Sequence, residues 1–379
     1  MAIAQQSQRL VIIVNNPAFF LSHRLEVALA AQEQGYDVHI ATMDGPAVAT
    51  IQAYGLRHHV IPMTRSGKNP VQELRTLWSI WRLMRRLRPQ IVHAVTIKPV
   101  LYGGIAARLS GARVGSFVAA ISGLGYLFTR NTGWLQRIAL VLYRLALGHT
   151  GVRVIVQNRA DLQLLVQAGV VQVKQCVLIP GSGVDIEKFH YVPEPDPPIT
   201  ILMVARLLED KGVREYIQAA QWAQQHGYSW RWQLAGAVDP GNPASLTQEE
   251  IQKWHAAGVI EWLGERQDIN KLYQQAHIAV LPSYREGLPK SLIEAAAAGR
   301  PVVTTDVPGC RDAIIAGQTG VLVPVRDSVA LAEAIQQLAE NARVRQQMGA
   351  AGRQLAEQRF ALEHVIQAHL AVYDALAHS

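Results

Sequence analysis

Two carboxylates and two cations carry the chemistry this sequence can do. Glu286 and Glu294 stand eight positions apart in REGLPKSLIEAAAAGRPVV (285–303), and Arg206 and Lys211 stand five apart in VARLLEDKG (204–212). The apolar run HIAVLPS (277–283) before Glu286 and the β-branched run PVVTT (301–305) after Gly299 read as strands. Glu286 is therefore expected in a strand-to-helix loop and Glu294 on the first turns of the helix. Pro289 suits the start of that helix and Gly299 its end. Arg206 and Lys211 close another expected strand, ITILMVAR (199–206), and enter a helix. Cations at a strand's carboxyl end suit a diphosphate. A helix N-terminus near residues 287–290 suits a phosphate. A carboxylate such as Glu294 can accept hydrogen bonds from both neighbouring hydroxyls of a ribose. Taken singly, each pair is also a solvated turn or a helix start whose acid complements the dipole. Together, at strand ends of one domain, they form a set suited to a nucleoside diphosphate.

The elements that must position these residues alternate in type. RLVIIVNN (9–16), DVHIAT (37–42), QIVHAV (90–95), RVGSFVAAIS (113–122), GVRVIVQN (151–158) and CVLIPG (176–181) read as strands, with helical spacing between them. Ser22 is the expected N-cap of the first helix and Gly35 its end. YVPEPDPPIT (191–200) carries four prolines and reads as a linker, after which the beat restarts. Alternating strands and helices imply an α/β class with parallel sheets covered on both faces. The expectation is two doubly wound Rossmann-like domains, 1–190 and 191–360. A terminal helix, 361–379, would pack back on the first, and ligands would sit in the interdomain cleft. The chain has 379 residues, 49% apolar and 17% charged, enough for two cores. Its formal net charge of +7 favours an anionic partner: nucleic acid, a lipid surface or a phosphorylated small molecule. Two cysteines, Cys176 and Cys310, make no disulfide framework or zinc pattern and suit a reducing cytoplasm. The amino terminus lacks a basic start and a cleavage site, so no signal peptide is expected. The longest uncharged run, 114–129, is too short to span a bilayer.

Arg206, Lys211 and the Glu286–Glu294 spacing within EGLPKSLIEA resemble the retaining glycosyltransferases of family 4, which have the GT-B fold. NNPAFFLSHRLEVALAAQEQGYDVHIAT, VTIKPVLYGGIAARLSG, AISGLGYLF and GSGVDIEKF are similar to that family's bacterial surface-polysaccharide branch. That branch extends sugars on a polyprenyl diphosphate in making capsule, O-antigen or exopolysaccharide. The resemblance implies that Arg206 and Lys211 hold the donor diphosphate and Glu294 the ribose. It implies that Glu286 touches the transferred sugar, that Gly287 and Leu288 offer backbone N–H groups, and that Lys290 belongs to the donor site. Gly264, Glu265 and Arg266 of WLGERQDI would line the base. Ser122, followed by Gly123, stands where many members carry a sugar-contacting histidine. Acceptor diphosphate contacts would come from Asn16, Ser22, His23, Arg24 and Lys98. His93 reads as structural. The implied donor is a nucleotide sugar, UDP-linked by family habit, with no cofactor. The Asp-x-Asp motif by which many glycosyltransferases hold a metal is missing; the nearest match, EPD at 194–196, lies in the proline segment.

Residues 65–89 hold Arg65, Lys68, Arg75, Arg82, Arg85, Arg86 and Arg88 against Glu73. Leu74, Leu77, Trp78, Trp81, Leu83 and Met84 recur there with helical spacing. Such a segment lies in an anionic membrane interface or covers a sheet with a solvated cationic face. The implied place is the cytoplasm, on the inner face of the plasma membrane. Nucleic acid is disfavoured, since the strip has no recognised module or aromatic platform. GLGYLF (123–128) misses the dinucleotide fingerprint, having Phe128 in place of its last glycine. Alternatives that keep the nucleotide site are a GT-B epimerase and a non-catalytic nucleotide-sugar-binding partner of a polysaccharide assembly complex.

Overall fold

The structure is a computed structural model and describes residues 8–64, 69–111, 114–123 and 133–377. The chain divides into two compact units, Met1–Ser182 with Val365–Ser379, and Gly183–His364.

In the first unit the strands are β1 (Arg9–Val14), β2 (Asp37–Thr42), β3 (Arg57–Val60), β4 (Ile91–Val95), β5 (Ser116–Ile121), β6 (Val152–Val156) and β7 (Cys176–Leu178). Its helices are α1 (Pro17–His23), α2 (Leu25–Glu33), α3 (Val48–Ala53), α4 (Pro70–Leu87), α5 (Ile97–Ser110), α6 (Trp134–Leu147) and α7 (Arg159–Gln167). Among the described residues the strands form one seven-stranded sheet in the order β3-β2-β1-β4-β5-β6-β7. The pairings are parallel, as at Leu10–Ile91 between β1 and β4. IVHAV of β4 and SFVAAI of β5 are buried at every position, the expected pattern for strands covered on both faces.

The second unit repeats the plan with β8 (Thr200–Val204), β9 (Arg231–Ala235), β10 (Glu261–Gly264), β11 (Ile278–Leu281), β12 (Val302–Thr305) and β13 (Gly320–Val323). Its helices are α8 (Val213–Gln225), α9 (Gln248–Ala256), α10 (Ile269–Gln275), α11 (Lys290–Ala297), α12 (Ser328–Ala339) and α13 (Ala342–Leu355). The sheet order is β10-β9-β8-β11-β12-β13. Both orders reverse direction once, between β1 and β4 and between β8 and β11, where loops diverge and leave a crevice at the strands' carboxyl ends. The last helix, α14 (Leu362–Ala377), places Val365, Leu370, Tyr373 and Leu376 in a cluster with Leu10, Ile12, Val14 and Phe20 of the first unit.

Three local expectations change. The proline segment is not a free linker but part of the second unit. Arg300, 1% exposed, donates to the carbonyls of Val192 (2.8 Å) and Pro193 (3.2 Å). Arg345 holds Glu194 in two hydrogen bonds of 2.8 and 3.1 Å. Ser22 does not cap the helix that ends before Gly35: that helix, α2, has Arg24 at its N-cap without a side-chain bond, while Asn16 caps the separate α1, its side chain accepting from the N–H groups of Ala18 and Phe19 at 2.8 and 3.3 Å. Ser22 lies inside α1 and returns its hydroxyl to the Ala18 carbonyl at 3.0 Å. Pro289 caps α11 instead of entering it. Leu124–Phe128 of GLGYLF, together with Arg65 and Lys68, lie outside the described residues.

Candidate functional site

In the second unit, β8 and β11 are neighbours, so the loops that follow them share the switch point. Arg206 and Lys211 follow β8, and Glu286 and Glu294 follow β11. Lys211 Nζ and Glu286 Oε1 form an ion pair, and the Ser283 hydroxyl donates to the same oxygen at 2.8 Å. Both side chains are mostly enclosed, at 17% and 11% exposure, so the pair is stronger than a surface one yet open on one side. Backbone bonds tie the two loops together. Tyr284 N–H donates to the Asp210 carbonyl at 2.8 Å, and the Ser283 hydroxyl oxygen lies 2.9 Å from the same carbonyl. Gly212 has φ 73°, and a Cβ there would meet the Pro282 carbonyl oxygen at 2.1 Å, so only glycine lets these loops touch. On the far side, Glu286 N–H donates to the Pro308 carbonyl at 3.2 Å.

Glu294 is the fifth residue of α11 and is 8% exposed. Burial pushes its carboxyl up to about 7, against the opposing pull of Lys290 and then Lys188. Lys290 Nζ lies 3.7 Å from it, one helical turn earlier. Gly287 and Leu288 form the turn between Glu286 and α11, with Leu288 buried. Gly264 closes β10 at φ 66°, and Glu265 and Arg266 stand exposed beyond it. Asp268 takes the Arg266 guanidinium in two hydrogen bonds of 2.8 and 2.7 Å. Because β10 is the edge strand and β9 separates it from β8, these three stand farther along the edge than the Lys211–Glu286 pair.

The first unit treats its candidates differently. Lys98 is not presented to solvent alone: it donates to Glu73 of α4 at 2.7 Å and to the Thr64 carbonyl at 3.0 Å. Glu73 also accepts from the Tyr102 hydroxyl, so the acid of the basic strip clamps α4 onto α5. Arg24 is 2% exposed, and its Nη1 donates to the His23 carbonyl at 2.7 Å. Burial lowers its guanidinium to about 10, with Tyr373 opposing. His23 stacks on Phe19 at 4.0 Å between ring centroids and meets the Ser22 hydroxyl at 2.7 Å. Ser122 follows β5 with its hydroxyl buried and unpartnered among the described residues, and Gly123 follows it at φ 104°. His93 is fully buried in β4 and bonded to the Tyr373 hydroxyl at 2.6 Å, a structural placement.

Two family models match the chain. "Glycosyl transferase 4-like" covers residues 11–158 and "Glycosyl transferases group 1" covers residues 185–355. The chain belongs to the family 4 glycosyltransferases. Among its relatives is the N,N'-diacetylbacillosaminyl-diphospho-undecaprenol alpha-1,3-N-acetylgalactosaminyltransferase of Campylobacter jejuni. It is 26% identical, over 94% of this chain and 97% of the relative. The capsular polysaccharide biosynthesis glycosyltransferase CapM of Staphylococcus aureus is also 26% identical, over 87% of each chain. A solved glycosyltransferase from Rickettsia africae superposes with a TM-score of 0.77 at 19% identity, covering 98% of this chain and 99% of that one. Anabaena HepE, solved with UDP and glucose, gives 0.76 at 18%, covering 97% and 100%. These structures show the GT-B fold.

In this glycosyltransferase the spacing of Glu286 and Glu294 was legible, but three supports of the site were not. Ser283 orients Glu286. Asp239, in the loop after β9, takes Arg206 Nη1 at 3.3 Å. Gly309, φ 82°, lies so close behind the Glu286 loop that a Cβ would meet the carbonyls of Glu286 and Gly287 at 2.5 and 2.6 Å. The glycines and the DPGNP run were the only visible signals for the last two. Among the described residues no group of His, Cys, Asp or Glu is arranged to hold a metal ion.

Proposed function

We propose that this glycosyltransferase moves a hexose or N-acetylhexosamine from a nucleotide sugar, UDP-linked, onto a glycan carried by a polyprenyl diphosphate, with retention at the anomeric carbon. The observation that carries the reading is the placement of Arg206, Lys211, Glu286 and Glu294 after the adjacent strands β8 and β11, with Lys211 and Glu286 in contact. The Campylobacter relative, whose name specifies a diphospho-undecaprenol acceptor, supports the acceptor class because the match spans nearly both chains. HepE, solved with UDP, supports the nucleotide.

Departure of a nucleoside diphosphate develops negative charge on the β-phosphate while the anomeric carbon becomes cationic. Arg206, Lys211 and the N-terminus of α11 supply fixed positive charge where that anion grows, usually the largest catalytic term. Glu286, held by Lys211 and Ser283, faces the sugar and favours positive charge at the anomeric carbon. Glu294, once ionised, accepts from the ribose hydroxyls. Gly287, Leu288 and Lys290 complete the phosphate side, and Gly264, Glu265 and Arg266 the base side. The acceptor diphosphate is met by Asn16, just after β1, by Ser22, His23 and Arg24 at the end of α1, and by Lys98 at the start of α5. With cations so placed, transfer proceeds without metal or cofactor.

The exposed face of α4 supports attachment to an anionic membrane surface. Val71, Leu74 and Trp78 project at 73%, 65% and 53% exposure. The guanidiniums of Arg82 and Arg85 lie 5.3 and 4.7 Å from the Trp78 and Trp81 ring centroids. On α6, Ile138, Val141 and Leu145 repeat the exposed spacing. No described helix is long and apolar enough to cross a membrane. Apolar side chains among cations suit the headgroup boundary.

The deciding experiment incubates the protein with radiolabelled UDP-sugars and a polyprenyl-diphosphate acceptor after chelator treatment. Labelled lipid-linked glycan is expected; free sugar or an epimer alone, or a strict metal requirement, overturns the reading. Flotation with anionic vesicles at low salt tests the membrane surface, and absence of binding ends that part.

A further inference from the structure

We infer that Asp239 is a positioning residue for donor binding: through its ion pair with Arg206 it fixes the guanidinium that grips the diphosphate. This rests on the donor site proposed above and adds a residue and a loop to it.

The loop 237–246 does not hang free from the end of β9. It runs back along the segment that carries Arg206 as a short antiparallel ribbon. Leu207 N–H donates to the Ala237 carbonyl at 3.1 Å, Leu246 N–H to the Leu207 carbonyl at 2.9 Å, and Glu209 N–H to the Ala244 carbonyl at 2.8 Å. Leu208 and Ser245 form the bridge between them. Gly236 makes the approach possible, since a Cβ there would meet the Ala205 carbonyl oxygen at 1.8 Å. Within the loop, the Ser245 hydroxyl accepts from Asp239 N–H at 2.8 Å, and Asn242 N–H donates to the Asp239 carbonyl at 2.8 Å. The Asp239 backbone is therefore held at both its N–H and its carbonyl, and its side chain is 10% exposed, whereas that of Arg206 is 55% exposed.

An exposed arginine is mobile, and ordering it on binding costs side-chain entropy. Asp239 meets the guanidinium at Nη1 alone, leaving the rest of the planar fork for a second acceptor. One carboxylate on one corner thus orients the arginine while it stays open to phosphate oxygens. The helix that follows the loop, α9, is tied to the start of α8: Arg214 donates to Glu250 of α9 at 2.8 Å and lies 3.5 Å from Glu209. Backbone hydrogen bonds join the ribbon to the turn that carries Arg206.

The test measures binding of UDP, GDP and uridine by calorimetry to the wild-type protein, Asp239→Ala, Asp239→Asn, Arg206→Ala and the double variant Asp239→Ala/Arg206→Ala. Asp239→Ala is expected to weaken nucleoside diphosphate binding about tenfold, as loss of a charge-assisted partner does, and to leave uridine binding unchanged. In the Arg206→Ala background the same change should add nothing, because the arginine through which it acts is gone. Asp239→Asn separates the charge from the loop fold: it should keep the thermal midpoint and share the diphosphate defect. Equal weakening of uridine and diphosphate, or additive losses in the double variant, overturns the inference and leaves the donor site standing. A wild-type protein that binds neither UDP nor GDP overturns the donor-site reading with it.

Discussion

The switch points of the two units have the same topology and opposite electrostatics. Between β1 and β4, among the described residues, Lys98 is paired with Glu73 and Arg24 is buried beside Tyr373. Between β8 and β11 the cations face the strand edge, Lys211 sharing Glu286 with Ser283 and Arg206 held by Asp239 from one corner. A doubly wound sheet provides the crevice in both cases, but among the described residues the arginines differ: Arg206 is 55% exposed and open to a ligand, whereas Arg24 is 2% exposed. The buried groups follow the same division. His93, His369 and Tyr373 are closed into the first unit's core, where they fix α14 and nothing else. Glu294 is also buried, at 8% exposure, but sits on the first turns of a helix that begins at the site.

The sharpest way to break this contrast is to remove a charge from each switch point. Glu286→Gln or Lys211→Met should lower the transfer rate by about a hundredfold to a thousandfold, the usual size for a preorganised electrostatic group. Lys98→Met should chiefly destabilise the fold, by about 1–3 kcal/mol, because it leaves Glu73 with one partner fewer. Equal losses of transfer rate from the two lysine variants would erase the difference between the units.

A second measurement separates structural burial from functional burial. Tyr373→Phe leaves His93 Nδ1 without its partner in a dry site and should cost about 1–3 kcal/mol. In a unit of this size that is a fall of roughly 2–4 °C in Tm for each kcal/mol, with donor affinity unchanged.

The smallest effect is in the pH response, and its sign differs between the units. The Glu294 carboxyl is raised from 4.5 to about 7, so the folded state holds this proton more tightly than the unfolded chain. The stability it contributes is complete below about 4.5 and is lost as pH rises through about 7. Burial pushes His369 down from 6.5 to about 3, so the folded first unit refuses a proton that the unfolded chain accepts. That contribution is present above about 6.5 and is lost as pH falls below it. For function, ribose needs the ionised carboxylate, so the donor KM should fall several-fold between about pH 6 and pH 8. Glu294→Gln should flatten that slope; a slope that survives the substitution removes Glu294 from the ribose role.

The strands and the four charged residues of the second unit could be read in the sequence because each depends on near neighbours. A β-branched run such as VVTT extends wherever it is covered. The eight-residue step from Glu286 to Glu294 spans one loop and one helix start. What could not be read depended on distant partners. Glu73 looked like part of a solvated strip, and only the packing of α4 on α5 turned it toward Lys98 and Tyr102, 25 and 29 positions away. The prolines of 191–200 suggested a linker, yet Arg345 reaches Glu194 across 151 positions and anchors the segment. Arg24 looked like a cation on offer until α14 covered it. Local sequence thus determined which segments become strands and helices and which charges follow them. Tertiary structure decided which of those charges remain available, because neutralisation and burial depend on what the fold brings within a few ångströms, and chain spacing does not encode that.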